Sequence, residues 1–262
     1  MIIVIAGPTG VGKTKLSIEL AKKLNGEVIN ADSTQIFKEL NIATAKVTNK
    51  EMENVPHHLI DIKEITENYT VYDYQKDARK KIKEIEARGH IPILVGGTGL
   101  YIKAALYDYE FQEETNHKTD YSNFTKEELY EELLKVDPNT EIHMNNRKRV
   151  ERALDYFKEN HQPFSSKEHT NQLLYDTIFI GLTTDREILY ERINTRVEEM
   201  LKQGLLEEAK KIYQSKIRTK AVMTPIGYKE LFEYFDGNCT LEDSIHCIQQ
   251  RSRNYAKRQY TW

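Results

Sequence analysis

The chain has 262 residues, 39% of them hydrophobic and 30% charged, and a formal net charge of −3. This balance suits a soluble globular protein with long amphipathic helices and, taken alone, argues against a general nucleic-acid binder. No apolar stretch approaches the roughly 20 residues of a bilayer span, no charged-then-apolar leader precedes the first strand, and Cys239 and Cys247 form no metal-spaced cluster. A cytoplasmic protein without membrane association is the expectation.

In chain order, Ile2-Ile3-Val4-Ile5-Ala6 reads as a buried parallel strand. It runs into Gly7-Pro8-Thr9-Gly10-Val11-Gly12-Lys13-Thr14, which matches the phosphate-cradling pattern G-x-x-x-x-G-K-[ST]. Leu16, Leu20 and Leu24 then recur at helical spacing. Unpaired N–H groups at the start of that helix suit a diphosphate or triphosphate. Lys13 adds a point charge, and the Thr14 hydroxyl can hold Mg²⁺. The loop alone does not separate a nucleotide kinase, a nucleotide-driven switch and a transferase using an organic diphosphate.

Glu27 to Ala31 reads as a second strand, ending in Asp32-Ser33, and His58 to Ile62 as an edge or connecting strand. Val71 to Arg88 has helical periodicity and stops at Gly89. Ile91 to Val95 is another buried strand, followed by Gly96-Gly97-Thr98-Gly99 and a helix carrying Tyr101, Ile102 and Leu106. From about Phe111 the strands cease: Thr125 to Lys135 and Arg147 to Glu159 read as helices, until Thr177 to Leu182 returns to strand character with helices from Asp185 onward. The expected class is α/β, a P-loop NTPase-like parallel sheet flanked by helices, interrupted by an all-helical insertion domain. Residues 1–110 and 176–262 form the core in this reading, and 111–175 the insertion.

Ligands of open parallel sheets gather at the carboxyl ends of the strands, so Thr14, Asp32 and Thr98 should line one crevice. Asp32 suits a metal-associated carboxylate or a general base; a helix N-cap is the plainer reading. Thr98, in a glycine-dense turn, offers a hydroxyl and an N–H, though such a turn can serve packing alone. Arg192 and Arg196 share a helix face, where an arginine can reach a leaving phosphate or simply pair with glutamates. His57-His58 suits buried or hydrogen-bonded histidines better than a metal site. Two basic stretches, Arg147 to Arg152 and Arg251 to Arg258, break the even charge distribution, and the second interleaves aromatic residues in a way that suits RNA.

Taken in order, these segments resemble the tRNA dimethylallyltransferases, also called tRNA isopentenyltransferases. The resemblance rests on the phosphate loop, Asp32-Ser33-Thr34-Gln35, Thr44-Ala45-Lys46, Pro56 to Asp61, Gly96 to Tyr101 and Asn145 to Leu154. Arg192-Ile193 with Arg196-Val197, Ile226 to Glu230, and Lys257-Arg258-Gln259 with Thr261-Trp262 complete it, so it spans nearly the whole chain.

The resemblance implies transfer of a dimethylallyl group from dimethylallyl diphosphate to the exocyclic N6 of the adenosine just 3′ of the tRNA anticodon, with Mg²⁺ as cofactor. It assigns Asp32, Thr98 and Arg196 to the chemistry and Gly7 to Thr14 to the diphosphate. Asp32 is the implied general base, Arg196 an added diphosphate contact, and Thr98 a group that orients the acceptor amine or the diphosphate. It implies tRNA contacts for Asp32, Ser33, Thr34, Gln35 and Thr98, for Lys148, Arg149, Val150, Glu151 and Arg152, and for Arg251, Arg253, Lys257 and Arg258. The insertion is expected to grip the anticodon stem-loop, and no obligate protein partner is evident.

The chain departs from the family pattern at Phe37, Ala43, Met144 and Thr224-Pro225, in a shorter insertion, and in stopping at Trp262 where relatives usually continue. A P-loop small-molecule or nucleotide kinase shares the core, but gives the basic–aromatic segment no role. An RNA-binding, nucleotide-gated regulator would bind tRNA without modifying it.

Overall fold

The structure is a computed structural model and describes residues 1–108, 119–166 and 172–261. Five parallel strands form one sheet in the order β3-β2-β4-β1-β5. They are β1 (Ile2–Ala6), β2 (Gly26–Asn30), β3 (His57–His58), β4 (Ile91–Gly96) and β5 (Thr177–Gly181). The helices are α1 (Lys13–Leu24), α2 (Asn49–Met52), α3 (Val71–Ala87), α4 (Gly99–Leu106), α5 (Lys126–Val136), α6 (Arg147–Asn160), α7 (Arg186–Lys202), α8 (Leu205–Gln214), α9 (Lys220–Met223), α10 (Tyr228–Phe235) and α11 (Leu241–Gln259).

β1 lies between β4 and β5, with Val4 opposite Leu94 and Phe179. An inner strand of a parallel sheet is covered on both faces, which is why it reads as an unbroken apolar run. Its residues divide by the period of two. Ile2 and Val4 join the layer built with α3, α4 and the C-terminal helices, while Ile3 and Ile5 pack with Ile18 and Ala21 of α1. Each such side chain, fully buried, contributes about 1.5–3 kcal/mol of apolar transfer free energy.

The helix ends follow local chemistry. Thr70 caps α3 by accepting from Asp73 N while the Asp73 carboxylate accepts from Thr70 N, a capping box. Gly89, at φ 75°, ends that helix where an L-residue would be strained.

The strand expected over His58 to Ile62 is shorter. Leu59 and Asp61 adopt left-handed φ values of 60° and 55°, so extended pairing stops after His58, and Phe37 and Lys63 make only an isolated bridge. Beneath this edge the buried Glu27 carboxylate accepts from His58 Nε2 and His90 Nδ1, both at 2.6 Å, and from Arg88 Nη2 at 2.8 Å. Burial alone would raise its pKa, but hydrogen bonds from Arg88, His58 and His90 outweigh it and hold the group down at about 2. The histidine pair is hydrogen-bonded: His57 Nδ1 donates to Val55 O at 2.8 Å, and burial lowers the His57 pKa.

The chain divides into two compact units, Met1–Tyr107 with Leu173–Trp262, and Asp108–Gln172. The second begins and ends three residues earlier than the expected 111–175. Leu174 N donates to Leu106 O at 2.8 Å and Tyr175 packs on the main core, so these residues belong with the sheet. The second unit holds α5 and α6 around Leu129, Leu133, Val150, Ala153 and Leu154. Its buried Asp155 accepts from Tyr121 Oη at 2.9 Å, and Asp137 from Ser165 N at 2.9 Å. Residues 111–118 and 167–171 of the expected insertion lie outside the described residues, as does Trp262.

Candidate active site

The loops after β1, β2 and β4 open into one crevice of about 1570 Å³, walled by α7 and α11. Thr9, Lys13, Thr14, Asp32, Thr98 and Arg196 all line it. The strand-end rule therefore anticipated the convergence of Thr14, Asp32 and Thr98.

The phosphate loop turns sharply through Gly7, at φ 148°, where a Cβ would stand 2.6 Å from Leu182 O. α1 then starts at Lys13, so its unpaired N–H groups face the crevice. Lys13 Nζ folds back to donate to Gly7 O and Pro8 O, each at 2.8 Å. Burial depresses its pKa to about 8; the negative charge of Asp32 works in the opposite direction, and Arg196 adds to the depression. Arg196 crosses from α7, its Nη1 donating to Thr9 Oγ1 at 3.4 Å. Its own pKa is lowered by burial and supported by the acidic charges of Glu51, Asp32 and Glu199. Two cations thus stand over the phosphate loop, both within the field of Asp32.

No helix begins at Asp32. Its Oδ1 instead accepts from Thr34 N at 2.9 Å and from Thr34 Oγ1 at 2.7 Å, an Asx turn that holds the carboxylate at the strand end. The N-cap reading is therefore replaced by a fixed carboxylate in the crevice. Next to it, Thr98 Oγ1 accepts from Ser33 N at 3.2 Å, which ties the loop after β2 to the loop after β4. Gln35 Nε2 donates to Thr44 O at 3.1 Å and Ala45 O at 3.3 Å, so its amide shapes the crevice wall. Thr14 is exposed on the crevice surface. Among the described residues no group of three or more His, Cys, Asp or Glu could hold a metal. A Mg²⁺ ion here would take Thr14 and draw most of its oxygens from a bound diphosphate, the usual arrangement for that ion.

The basic residues are divided. Arg251 and Arg258 line the crevice, Arg251 in an ion pair with the buried Glu230 and Arg258 with its guanidinium 5.7 Å from the Tyr255 ring. Arg253 Nη1 donates to Asn194 Oδ1 at 2.6 Å, and Lys257 is exposed. In the other unit Lys148, Arg149 and Arg152 are exposed on α6, and Glu151 pairs with Arg147 at 2.7 Å. Val150 corrects the expectation for this stretch. It is 1% exposed in that unit's core, because it falls on the inward face of α6, and its side chain cannot meet a surface ligand.

The family model described as IPP transferase matches residues 35–262. The chain belongs to the IPP transferase family. The tRNA dimethylallyltransferases of Geobacillus thermodenitrificans and Bacillus subtilis are 50% and 47% identical to it, over 100% of this chain and 86% and 87% of their own lengths. The tRNA isopentenylpyrophosphate transferase of Bacillus halodurans, a solved structure, is 44% identical with a TM-score of 0.76, covering 100% of this chain and 86% of that one. A eukaryotic dimethylallyltransferase acting on tRNA is 35% identical with a TM-score of 0.86, covering 100% and 69%. The full-chain relatives extend the match through the phosphate loop and Asp32, which precede the first residue of the family match.

Three residues of this transferase were given no role in shaping the crevice by sequence reasoning. Gln259 Oε1 accepts from Thr9 N at 2.8 Å, and its Nε2 donates to Gly97 O at 3.1 Å. Tyr255, one turn earlier, lines the crevice together with Thr98, and burial, reinforced by the charge of Asp32, pushes its phenol up to about 12. Glu208 of α8 accepts from Ile42 N at 3.0 Å, Ala43 N at 3.3 Å and Tyr228 Oη at 2.7 Å, holding the loop that Gln35 also holds. The helical spacing of Arg251, Tyr255, Arg258 and Gln259 was a usable signal for the first two; nothing local marked Glu208.

Proposed function

We propose that this crevice transfers the dimethylallyl group of dimethylallyl diphosphate to N6 of the adenosine just 3′ of the anticodon of a tRNA, releasing diphosphate. The observation that carries the reading is the placement of Asp32 and Thr98 in one crevice with Lys13 and Arg196. A carboxylate beside two cations on a phosphate loop provides a base next to a stabilised leaving group.

The allylic C1–O bond breaks and its electron pair stays on the departing diphosphate, whose growing charge falls to the loop N–H groups, Lys13 and Arg196. The N6 lone pair forms the new carbon–nitrogen bond. Its delocalisation into the adenine ring makes the amine a weak nucleophile, so Asp32 takes the N6 proton as the bond forms. Thr98 orients the amine. Mg²⁺ held by Thr14 would supply further charge neutralisation on the diphosphate oxygens.

The target base must leave the stacked anticodon loop, at a cost of a few kcal/mol that phosphate contacts offset. Arg251 and Arg258 at the crevice, and the exposed Lys148, Arg149 and Arg152 of α6, are the groups that fit this role. Supporting the reading are the family, the relatives' names and the crevice chemistry.

The test incubates the protein with unmodified tRNA, Mg²⁺ and dimethylallyl diphosphate and weighs the digested nucleosides. An adenosine that gains the mass of one dimethylallyl group is expected; unchanged adenosine would overturn the proposal. In parallel, dimethylallyl diphosphate should protect against thermal unfolding better than ATP.

A further inference from the structure

Donor and acceptor in the transfer proposed above are held by separate loops, one after β1 and one after β4. The side chain of Gln259 spans the two. Gln259 accepts from Thr9 N at 2.8 Å on one side and donates to Gly97 O at 3.1 Å on the other. Both partners are backbone groups, one N–H and one carbonyl, so the amide has a single workable orientation. Thr9 belongs to the phosphate loop, where its hydroxyl accepts from Arg196. Gly97 directly precedes Thr98, whose hydroxyl accepts from Ser33 N. The bridge therefore connects the diphosphate side of the crevice with the side that carries Asp32 and Thr98.

Residue 97 gives the bridge its room. A Cβ there would stand 1.9 Å from Gln259 Nε2, with Gln259 Cδ at 3.1 Å and Gly7 O at 3.6 Å. Gly97 is not among the residues of positive φ, so what the position demands is space for the amide rather than a special backbone conformation.

We infer that Gln259 is a positioning residue of the transfer, fixing the gap between the phosphate loop and the Thr98 loop and so the distance from the breaking C–O bond to the incoming amine. The inference rests on the dimethylallyl-transfer reading above. Reacting atoms must approach to about 3–3.5 Å, and a displacement of about 1 Å can cost roughly a hundredfold in rate. Each loop keeps its own ligand groups when the bridge is cut. The loss therefore falls on the chemical step and leaves binding of either substrate nearly intact.

The experiment compares Gln259→Ala, Gln259→Glu, Gly97→Ala and the double variant Gly97→Ala/Gln259→Ala. The readouts are single-turnover transfer rates, dissociation constants for dimethylallyl diphosphate and tRNA, and Tm. Gln259→Ala is expected to slow transfer about 10–100-fold while both dissociation constants move less than about threefold. Gln259→Glu keeps the acceptor for Thr9 N but repels Gly97 O, and should slow transfer in the same direction; it carries the comparison if the alanine variant does not fold. Gly97→Ala displaces the amide and should match Gln259→Ala. The double variant, with the obstruction gone, should be no slower than Gln259→Ala. Losses that multiply in the double variant, a rate within threefold of wild type in Gln259→Ala, or weakened diphosphate binding that accounts for the whole loss would each overturn the inference. Exchange of the Thr9 amide hydrogen, expected to quicken at least about tenfold in Gln259→Ala, reports the bridge without any chemistry. Wild-type protein that modifies no tRNA would instead overturn the proposed function, whatever the exchange shows.

Discussion

Lys13 should make donor binding depend on pH in a range where most lysines are silent. Burial brings its pKa to about 8, so the free protein loses the ammonium charge across mildly alkaline pH. In the proposed transfer the diphosphate would bind the charged form and replace the contacts of Nζ with Gly7 O and Pro8 O, each 2.8 Å long. With that pKa the charged fraction falls about tenfold between pH 7 and pH 9, and the dissociation constant should rise about tenfold over the same interval. A charge-assisted hydrogen bond contributes about 1.5–3 kcal/mol, or roughly 10–150-fold in affinity, so the rise has room to develop before it saturates. Calorimetric titration of dimethylallyl diphosphate from pH 6.5 to 9.5 measures it. Asp32 raises the Lys13 pKa, so Asp32→Asn should move the midpoint of the alkaline limb to lower pH whatever it does to absolute affinity. Lys13→Arg, which stays charged, should flatten the limb. A pH-independent dissociation constant in the wild type, or a midpoint that climbs in Asp32→Asn, would refute the electrostatic account of this site.

Asp32→Ala should lower turnover about 10²–10⁴-fold with tRNA affinity retained; near-normal turnover in a nucleoside assay would reassign the carboxylate to holding the Thr34 turn. Glu27→Gln should destabilise the protein by about 3 kcal/mol, because it leaves Arg88 and two histidines facing a neutral group. That corresponds to roughly 6–12 °C in Tm for a chain of this size. The folded-state pKa of Glu27 lies below its ordinary 4.5, so its stabilisation is present above that pH and is lost as the pH falls toward about 2. The Tm gap between wild type and Glu27→Gln should accordingly narrow in acid, and a gap that widens there would count against the network. Gly96→Ala should leave little soluble protein, since its Cβ would stand 2.2 Å from the backbone oxygen of Ala31; normal expression with an unchanged Tm would contradict that packing.

The parts of this site that were legible in the sequence are those set by local chemistry. The phosphate loop is contiguous, and β1 announces itself as an inner strand by being apolar on both faces. Asp32 and Thr98 could be assigned to one crevice because a parallel sheet delivers its strand ends to one side. The fate of the Asp32 carboxylate was less visible, since an Asx turn and an N-cap begin with the same residues. The edge strand expected over His58 to Ile62 is present but short, because Leu59 and Asp61 take left-handed conformations that an apolar run does not advertise. Val150 shows the limit of reading charge runs: the inward face of α6 interrupts a basic surface with a core residue. Gln259 and Glu208 depend on contacts across about 250 and 165 residues of chain, which only the folded sheet brings together.

At the junction with the second unit, Tyr107 and Leu173 pair as an isolated antiparallel bridge, with Leu174 N on Leu106 O at 2.8 Å. The polypeptide therefore leaves and rejoins the sheet-bearing unit through a single doorway. A short turn could close that doorway in place of residues 108–172 without severing any strand. The same geometry lets evolution lengthen, shorten or exchange what hangs there without replacing a residue that lines the crevice, and it gives the experimenter a way to ask each unit what it does alone.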